Sequence, residues 1–252
     1  MLLIPATAAF SQERKEPDTP IPVLTDEDRT AAFPDIAGHH EHEGKWNYYV
    51  LFDQLEWRNG NSEQSGSWNA MGWVGGDVNR LWFRTEGEAD QQETRDAEVS
   101  LFYGRSFSRW WDFVAGVRQD VQPGPAQTWA AAGIQGLAPN FFELQATVYI
   151  GDSWRTQVRL EAEYELLLTN RLILQPRAEL NASGKSDVER GVGTGLTSGE
   201  VGLRFRYEFR REFAPYVGIM WDRKFGETAD FARAQGNSTG GTRFVAGLRF
   251  WF

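Results

Sequence analysis

Phe244-Val245-Ala246-Gly247-Leu248-Arg249-Phe250-Trp251-Phe252 is the stretch that decides how this chain is read. Every second residue is apolar: Phe244, Ala246, Leu248, Phe250, Phe252. A period of two places those side chains on one face of a β-strand, because successive Cβ atoms point to opposite sides. The alternate positions include Gly247 and Arg249, so the second face has a different solvent.

The same pattern recurs upstream. In 172–182 one face is Leu172, Leu174, Pro176, Ala178 and Leu180, and the other carries Gln175, Arg177, Glu179 and Asn181. In 201–210 Val201, Leu203, Phe205, Tyr207 and Phe209 oppose Arg204, Arg206, Glu208 and Arg210. In 155–168 Val158, Leu160, Ala162, Tyr164 and Leu166 oppose Arg155, Gln157, Arg159, Glu161, Glu163 and Glu165. A soluble barrel turns its oily face inward. Here that face is too continuous, and the charged face too mixed in sign, for a small filled core. Lipid outside and a salt-bridged lumen inside fit both faces. A closing strand that ends on an aromatic also resembles the last strand of bacterial outer-membrane barrels.

Composition agrees. No run of about 18 apolar residues exists for a transmembrane helix. A mean hydropathy of -0.50 is what alternating strands produce. Aromatics make up 14% of the 252 residues, with 11 Trp, as aromatic girdles require. There is no Cys, so no disulfide or thiolate metal site. The net charge of -9 argues against nucleic acid as a partner.

The expected fold is therefore all-β: a transmembrane antiparallel up-and-down barrel of about 12 strands over 45–252. Its strands are expected near 46–58, 67–76, 79–88, 95–106, 110–121, 127–137, 140–151, 154–168, 171–183, 199–210, 213–225 and 241–252. Short connections alternate with longer ones at 59–66, 87–94, 122–126, 184–198 and 226–240, with a tight turn at 151–153 breaking the pattern. The break at Gly75-Gly76-Asp77 carries the parity: without it the count is eleven, against the even-number rule.

Residues 1–44 form a separate region. Met1–Phe10 looks like the tail of a secretory signal, with small residues around Ala6-Thr7-Ala8 but no positive start. Residues 11–44 read as a disordered acidic tail containing Pro17, Pro20, Pro22 and Pro34.

Few residues carry metal chemistry. All three histidines lie in His39-His40-Glu41-His42-Glu43. Neutral imidazoles beside carboxylates suit copper, zinc or nickel, and a hydrated polar linker is the plain alternative. Met71 shares a face with Asn69 and Trp73, and Met220 falls on the lumen face if Ile219 and Trp221 meet lipid. A thioether is a soft ligand suited to Cu(I), and gap filling is its common structural use. The Arg/Glu ladders read more readily as a structural network than as an ion pathway. Asp53 breaks the pattern by sharing a face with Leu51, Leu55 and Trp57; either the register shifts there or it sits at an interface. With no His inside the barrel segments, Ser-His catalysis has no base, and no enzyme activity is expected.

Several blocks carry a family resemblance. They are Gly72-Trp73-Val74-Gly75-Gly76-Asp77-Val78-Asn79-Arg80-Leu81-Trp82-Phe83-Arg84-Thr85-Glu86-Gly87-Glu88, Asp53-Gln54-Leu55-Glu56-Trp57 and Ala115-Gly116-Val117-Arg118-Gln119-Asp120. Pro215-Tyr216-Val217-Gly218-Ile219 and Trp221-Asp222-Arg223-Lys224-Phe225-Gly226-Glu227-Thr228-Ala229 join them. Together, over 45–252, they resemble the copper resistance protein B family. That resemblance implies a bacterial outer-membrane barrel in a copper-resistance system, in contact with outer-membrane lipid, with copper ions bound or passed and periplasmic copper-resistance proteins as partners. Many members carry a long Met- and His-rich N-terminal extension; this tail has His39, His40 and His42 but no Met cluster. Two functions follow: a copper-binding or copper-conducting barrel using His39, His40, His42, Met71 and Met220, or a docking barrel with a plugged lumen.

Overall fold

The computed structural model describes residues 25–32, 46–60, 63–90 and 93–252. Residues 44–252 form one unit, and the preceding residues another.

Thirteen strand segments make the barrel. They are β1 (Asn47–Gly60), β2 (Glu63–Gly75), β3 (Asn79–Ala89), β4 (Thr94–Ser106), β5 (Trp111–Gln122) and β6 (Gln127–Ala138). Then follow β7 (Phe142–Gly151), β8 (Thr156–Glu163), β9 (Leu166–Leu167), β10 (Leu172–Ser183), β11 (Gly195–Tyr207), β12 (Phe213–Lys224) and β13 (Gly240–Trp251). Apart from β8 and β9, each pairs antiparallel with its chain neighbour, and β13 returns to β1. Segments β8 and β9 both pair with β10, so they are two parts of one stave and the barrel has twelve.

The decisive stretch closes the ring. Trp251 lies opposite Leu51, Phe250 opposite Phe52, and Leu248 opposite Leu55. Phe252 and Val50 exchange backbone hydrogen bonds of 2.9 and 3.2 Å. Phe244 and Phe252 point outward and are about two-thirds exposed, whereas Val245 is buried inside. Gly247 has to be small: a Cβ there would lie 2.6 Å from the Tyr216 ring and 2.8 Å from Glu56 Cβ.

The break at Gly75–Asp77 is real. Gly76 N–H donates to Asn79 C=O at 3.0 Å, which closes a hairpin and keeps the stave count even. The expected long loops at 59–66 and 87–94 are not there. Gly60 pairs with Glu63 and Ala89 with Thr94, so the ladder runs almost to the tip. Alternating hydropathy ends where lipid ends, but backbone hydrogen bonding continues into water. The long connections are 184–194 and 225–239, and the second holds α2 (Gly226–Ala234). Both lie at the end away from the chain's entrance at Asn47 and exit at Phe252. Short connections and that entrance and exit share the other end, which is the periplasmic end in barrels of this type.

In the tail, α1 (Asp26–Ala32) is helical. Thr25 caps it: Asp28 N–H donates to Thr25 Oγ1 at 3.2 Å, and Thr25 N–H returns a bond to Asp28 Oδ2 at 2.9 Å. The rest of 1–45, including His39, His40 and His42, lies outside the described residues.

Candidate functional site: the barrel lumen

Asp53 owes its position to a β-bulge. The β1–β2 register shifts between Phe52 and Gln54, and the β1–β13 register between Phe52 and Leu55. One extra residue lets both Asp53 and Gln54 face inward while Leu55 and Trp57 stay outside. Asp53 accepts a hydrogen bond from Arg249 Nε at 2.9 Å. Of the two readings of Asp53, the register shift is the right one.

The charged faces meet inside. Glu56 lies between Arg58 (2.8 Å), Arg204 (3.1 Å) and the Tyr216 hydroxyl (3.0 Å). Glu88 accepts from Arg58 at 2.9 Å and Arg243 at 2.8 Å. Glu98 receives a fork from Arg159 at 2.7 and 2.9 Å. Such bidentate pairs hold a geometry as well as a charge.

Charge does not fill the whole lumen. Trp82, Phe102, Val114, Trp129 and Tyr149 form a buried cluster on the β3–β7 wall, with Met71 and Trp73 packed against it. Arg118 lies over the Tyr149 ring at 4.0 Å and Arg84 over Phe102 at 5.0 Å. These cation–π contacts join the aromatic half to the ionic half. The salt-bridged lumen expected from the sequence is present, with an aromatic half beside it. Trp82 shares its strand face with Arg80 and Arg84, Phe102 with Glu98 and Ser100, Trp129 with Gln127 and Gln135, and Tyr149 with Gln145 and Thr147; that polar company is the signal in the sequence that could have placed them inside.

Three cavities lie along the lumen among the described residues. An outer chamber of about 490 Å³ is lined by Arg58, Glu88, Glu98, Arg118, Glu179 and Arg243 among others. A throat of about 30 Å³ lies between Met71, Arg84, Glu86, Tyr149, Arg159 and Glu161. An inner chamber of about 200 Å³ includes Asp53, Met71, Glu143, Glu161 and Glu163 in its lining, with Arg177 and Arg249. Asn69 lines all three, and Met71 and Glu161 line the throat and the inner chamber. The inner chamber thus has four carboxylates against two guanidiniums.

Met71 lies where the sequence places it, facing the lumen. Met220 also faces inward, but it is 2% exposed, lines none of these cavities, and lies opposite Gly202 and Arg243. The two methionines are on β2 and β12, with β13 and β1 between them. Among the described residues no three His, Asp or Glu side chains are grouped to hold a metal.

At the outer end, loop 184–194 folds over the mouth. Arg190 reaches into the outer chamber, within 4.0 Å of Asp120 and 3.9 Å of Asp187, and donates to Pro125 C=O. Helix α2 grips the loop. Glu227 accepts from Ser186 Oγ at 2.5 Å and Thr194 N–H at 3.1 Å, and Thr228 Oγ1 accepts from Gly193 N–H at 2.8 Å. The Ser186 hydroxyl and then the Thr194 amide hold the Glu227 carboxyl below its ordinary range. A depressed carboxyl stabilises the folded loop above its unfolded pKa of about 4.3 and loses that effect as pH falls through the lower folded value. Protection of the 186–194 amides against hydrogen exchange, relative to the free-peptide rate at the same pH, is therefore expected to fall below about pH 4, and in the Glu227→Gln protein to be lower already at pH 7.

A closed twelve-stave barrel with an apolar outer face, exposed aromatics at the strand ends such as Tyr48, Trp110, Phe141 and Trp154, and a charged lumen is an outer-membrane barrel. Solved structures share the fold. The NanC porin superposes with a TM-score of 0.52 at 11% identity, over 81% of this chain and 99% of that chain. The KdgM porin gives 0.50 at 11% identity, over the same shares.

The chain belongs to the copper resistance protein B family: the family described as copper resistance protein B precursor matches residues 46–252. It is 48% identical over 244 residues to the copper resistance protein B homolog of Pseudomonas syringae pv. tomato, covering 97% of this chain and 83% of that protein. It is 48% identical over 237 residues to copper resistance protein B of Escherichia coli, covering 94% and 80%. The protein is thus an outer-membrane copper-resistance barrel.

Proposed function

We propose that this barrel passes copper ions along its lumen through weak, successive sites. The observation that carries the reading is Met71, which lines both the throat and the acidic inner chamber beside Glu161. Soft sulfur next to carboxylate suits copper over harder cations. Conduction needs sites that release as readily as they bind, and one thioether with dispersed carboxylates meets that need. His39, His40 and His42, a few residues before β1, would gather ions near the periplasmic mouth. Met220 is proposed as a minor contributor, because it lines none of the three lumen cavities.

The test is copper influx into sealed liposomes holding the refolded barrel, read by an internal indicator. Flux above empty liposomes and above zinc flux is expected, with Met71→Leu reducing it severalfold and Met220→Leu far less. No flux through a folded barrel would sink the conduit reading. It would favour a docking barrel whose ion network and aromatic cluster close the lumen.

A further inference from the structure

One place on the barrel wall breaks the ladder. Strand β7 begins at Phe142, and its pairing with β8 ends at Glu143 opposite Glu163. The stave runs on through Tyr164, Glu165 and β9, hydrogen-bonded only to β10. Tyr164 N–H donates to Pro176 C=O and Leu168 N–H to Leu172 C=O. Alternation then turns the backbone groups of Glu165 and Leu167 to the opposite edge, where β7 has no residue to meet them. A notch of about 490 Å³ lies there, lined by Leu137, Phe141, Tyr164 and Leu166 with Glu143, Glu163 and Glu165.

The notch is sided. Glu143 and Glu163 also line the inner chamber, so the acidic side faces the lumen. Tyr164 stacks on Phe142 at 4.7 Å on the outer side, next to exposed Leu166. Glu143 and Glu163 are directly opposed across β7 and β8, an unfavourable cross-strand pair, and among the described residues neither makes an ion pair within 4.0 Å; Gln175 donates to Glu163 at 2.5 Å, and Arg177 lies opposite Glu163 on β10. Glu165 is paired with Arg206 at 2.7 Å.

We infer that this notch is a strand-addition site for an extended segment of a periplasmic partner in which basic and apolar residues alternate. The free edge of Glu165 and Leu167 supplies the backbone pairing. Basic side chains turned inward would meet Glu143 and Glu163, and apolar ones turned outward would pack on Tyr164, Leu166 and Phe142. The acidic tail of this chain has the wrong sign for the site. The inference stands whether or not the lumen passes copper.

The probe is a short synthetic peptide alternating lysine and valine, with a glutamate–valine peptide as control. Binding to the full chain in lipid nanodiscs is read by fluorescence anisotropy. Leu167→Pro removes one edge donor and leaves the bonds of Tyr164 and Leu168 to β10 in place, because the Leu167 N–H points away from β10. The lysine–valine peptide is expected to bind the native barrel, and Leu167→Pro to weaken it by roughly tenfold. A Glu143→Gln/Glu163→Gln barrel is expected to bind more weakly and with less salt dependence. Equal binding of both peptides, no binding, or unchanged affinity in Leu167→Pro overturns the site. If Leu167→Pro does not fold, unchanged affinity in the double glutamine barrel overturns it alone.

Discussion

Glu56→Gln is expected to destabilise the barrel by about 3–5 kcal/mol, the cost of leaving buried charge uncompensated. Glu56 has no exposed side-chain surface, and its partner Arg204 has 1%. The amide keeps the shape but loses the charge that faces two guanidiniums and accepts from the Tyr216 hydroxyl. Removing Arg204 as well should recover part of the loss, because a buried pair costs less to delete whole than by halves. Guanidinium titrations of the barrel in lipid vesicles, followed by Trp fluorescence, would measure both variants. A loss under about 0.5 kcal/mol for Glu56→Gln, the level of an ordinary surface substitution, would mean that water already solvates these arginines.

The second large effect tests the outer face. Ile219 is central on β12, exposed, and flanked on its face by Val217 and Trp221. Ile219→Arg is expected to cost about 2–4 kcal/mol in a bilayer, the range for a cation at the midplane of a lipid-facing strand. Val188 in the outer loop is more exposed than Ile219, so Val188→Arg should stay within about 0.5 kcal/mol. The same vesicle titration separates them. Equal effects would show that Ile219 does not meet lipid.

Much of the fold was legible because lipid and lumen impose opposite chemistry on alternate residues. That contrast marks most staves and fades on β3–β7, where Trp82, Phe102, Trp129 and Tyr149 face the lumen. It is silent where backbone geometry acts without a change of solvent. The bulge at Asp53 is such a place: two adjacent inward residues look like an error in a period of two. The ladder extensions to Gly60 and Ala89 are another, because polar residues pair in water as well as in lipid. At the site, Met71 was readable from its face. The throat was not, since it depends on how Arg84, Tyr149 and Arg159 pack across the lumen from separate strands. The notch beside β9 was hidden too, because 154–168 alternates smoothly through the point where β7 falls away.

The Glu56 cluster has a consequence for assembly. Glu56 is on β1, and its partners Arg204 and Tyr216 are on β11 and β12, 148 and 160 residues away along the chain. The seam between β1 and β13 lies between them. An open sheet would leave Glu56 at one margin and Arg204 near the other. Joining the two margins and neutralising those charges are then a single late event. This places the slowest, most non-local contact of folding at the step that seals the cylinder.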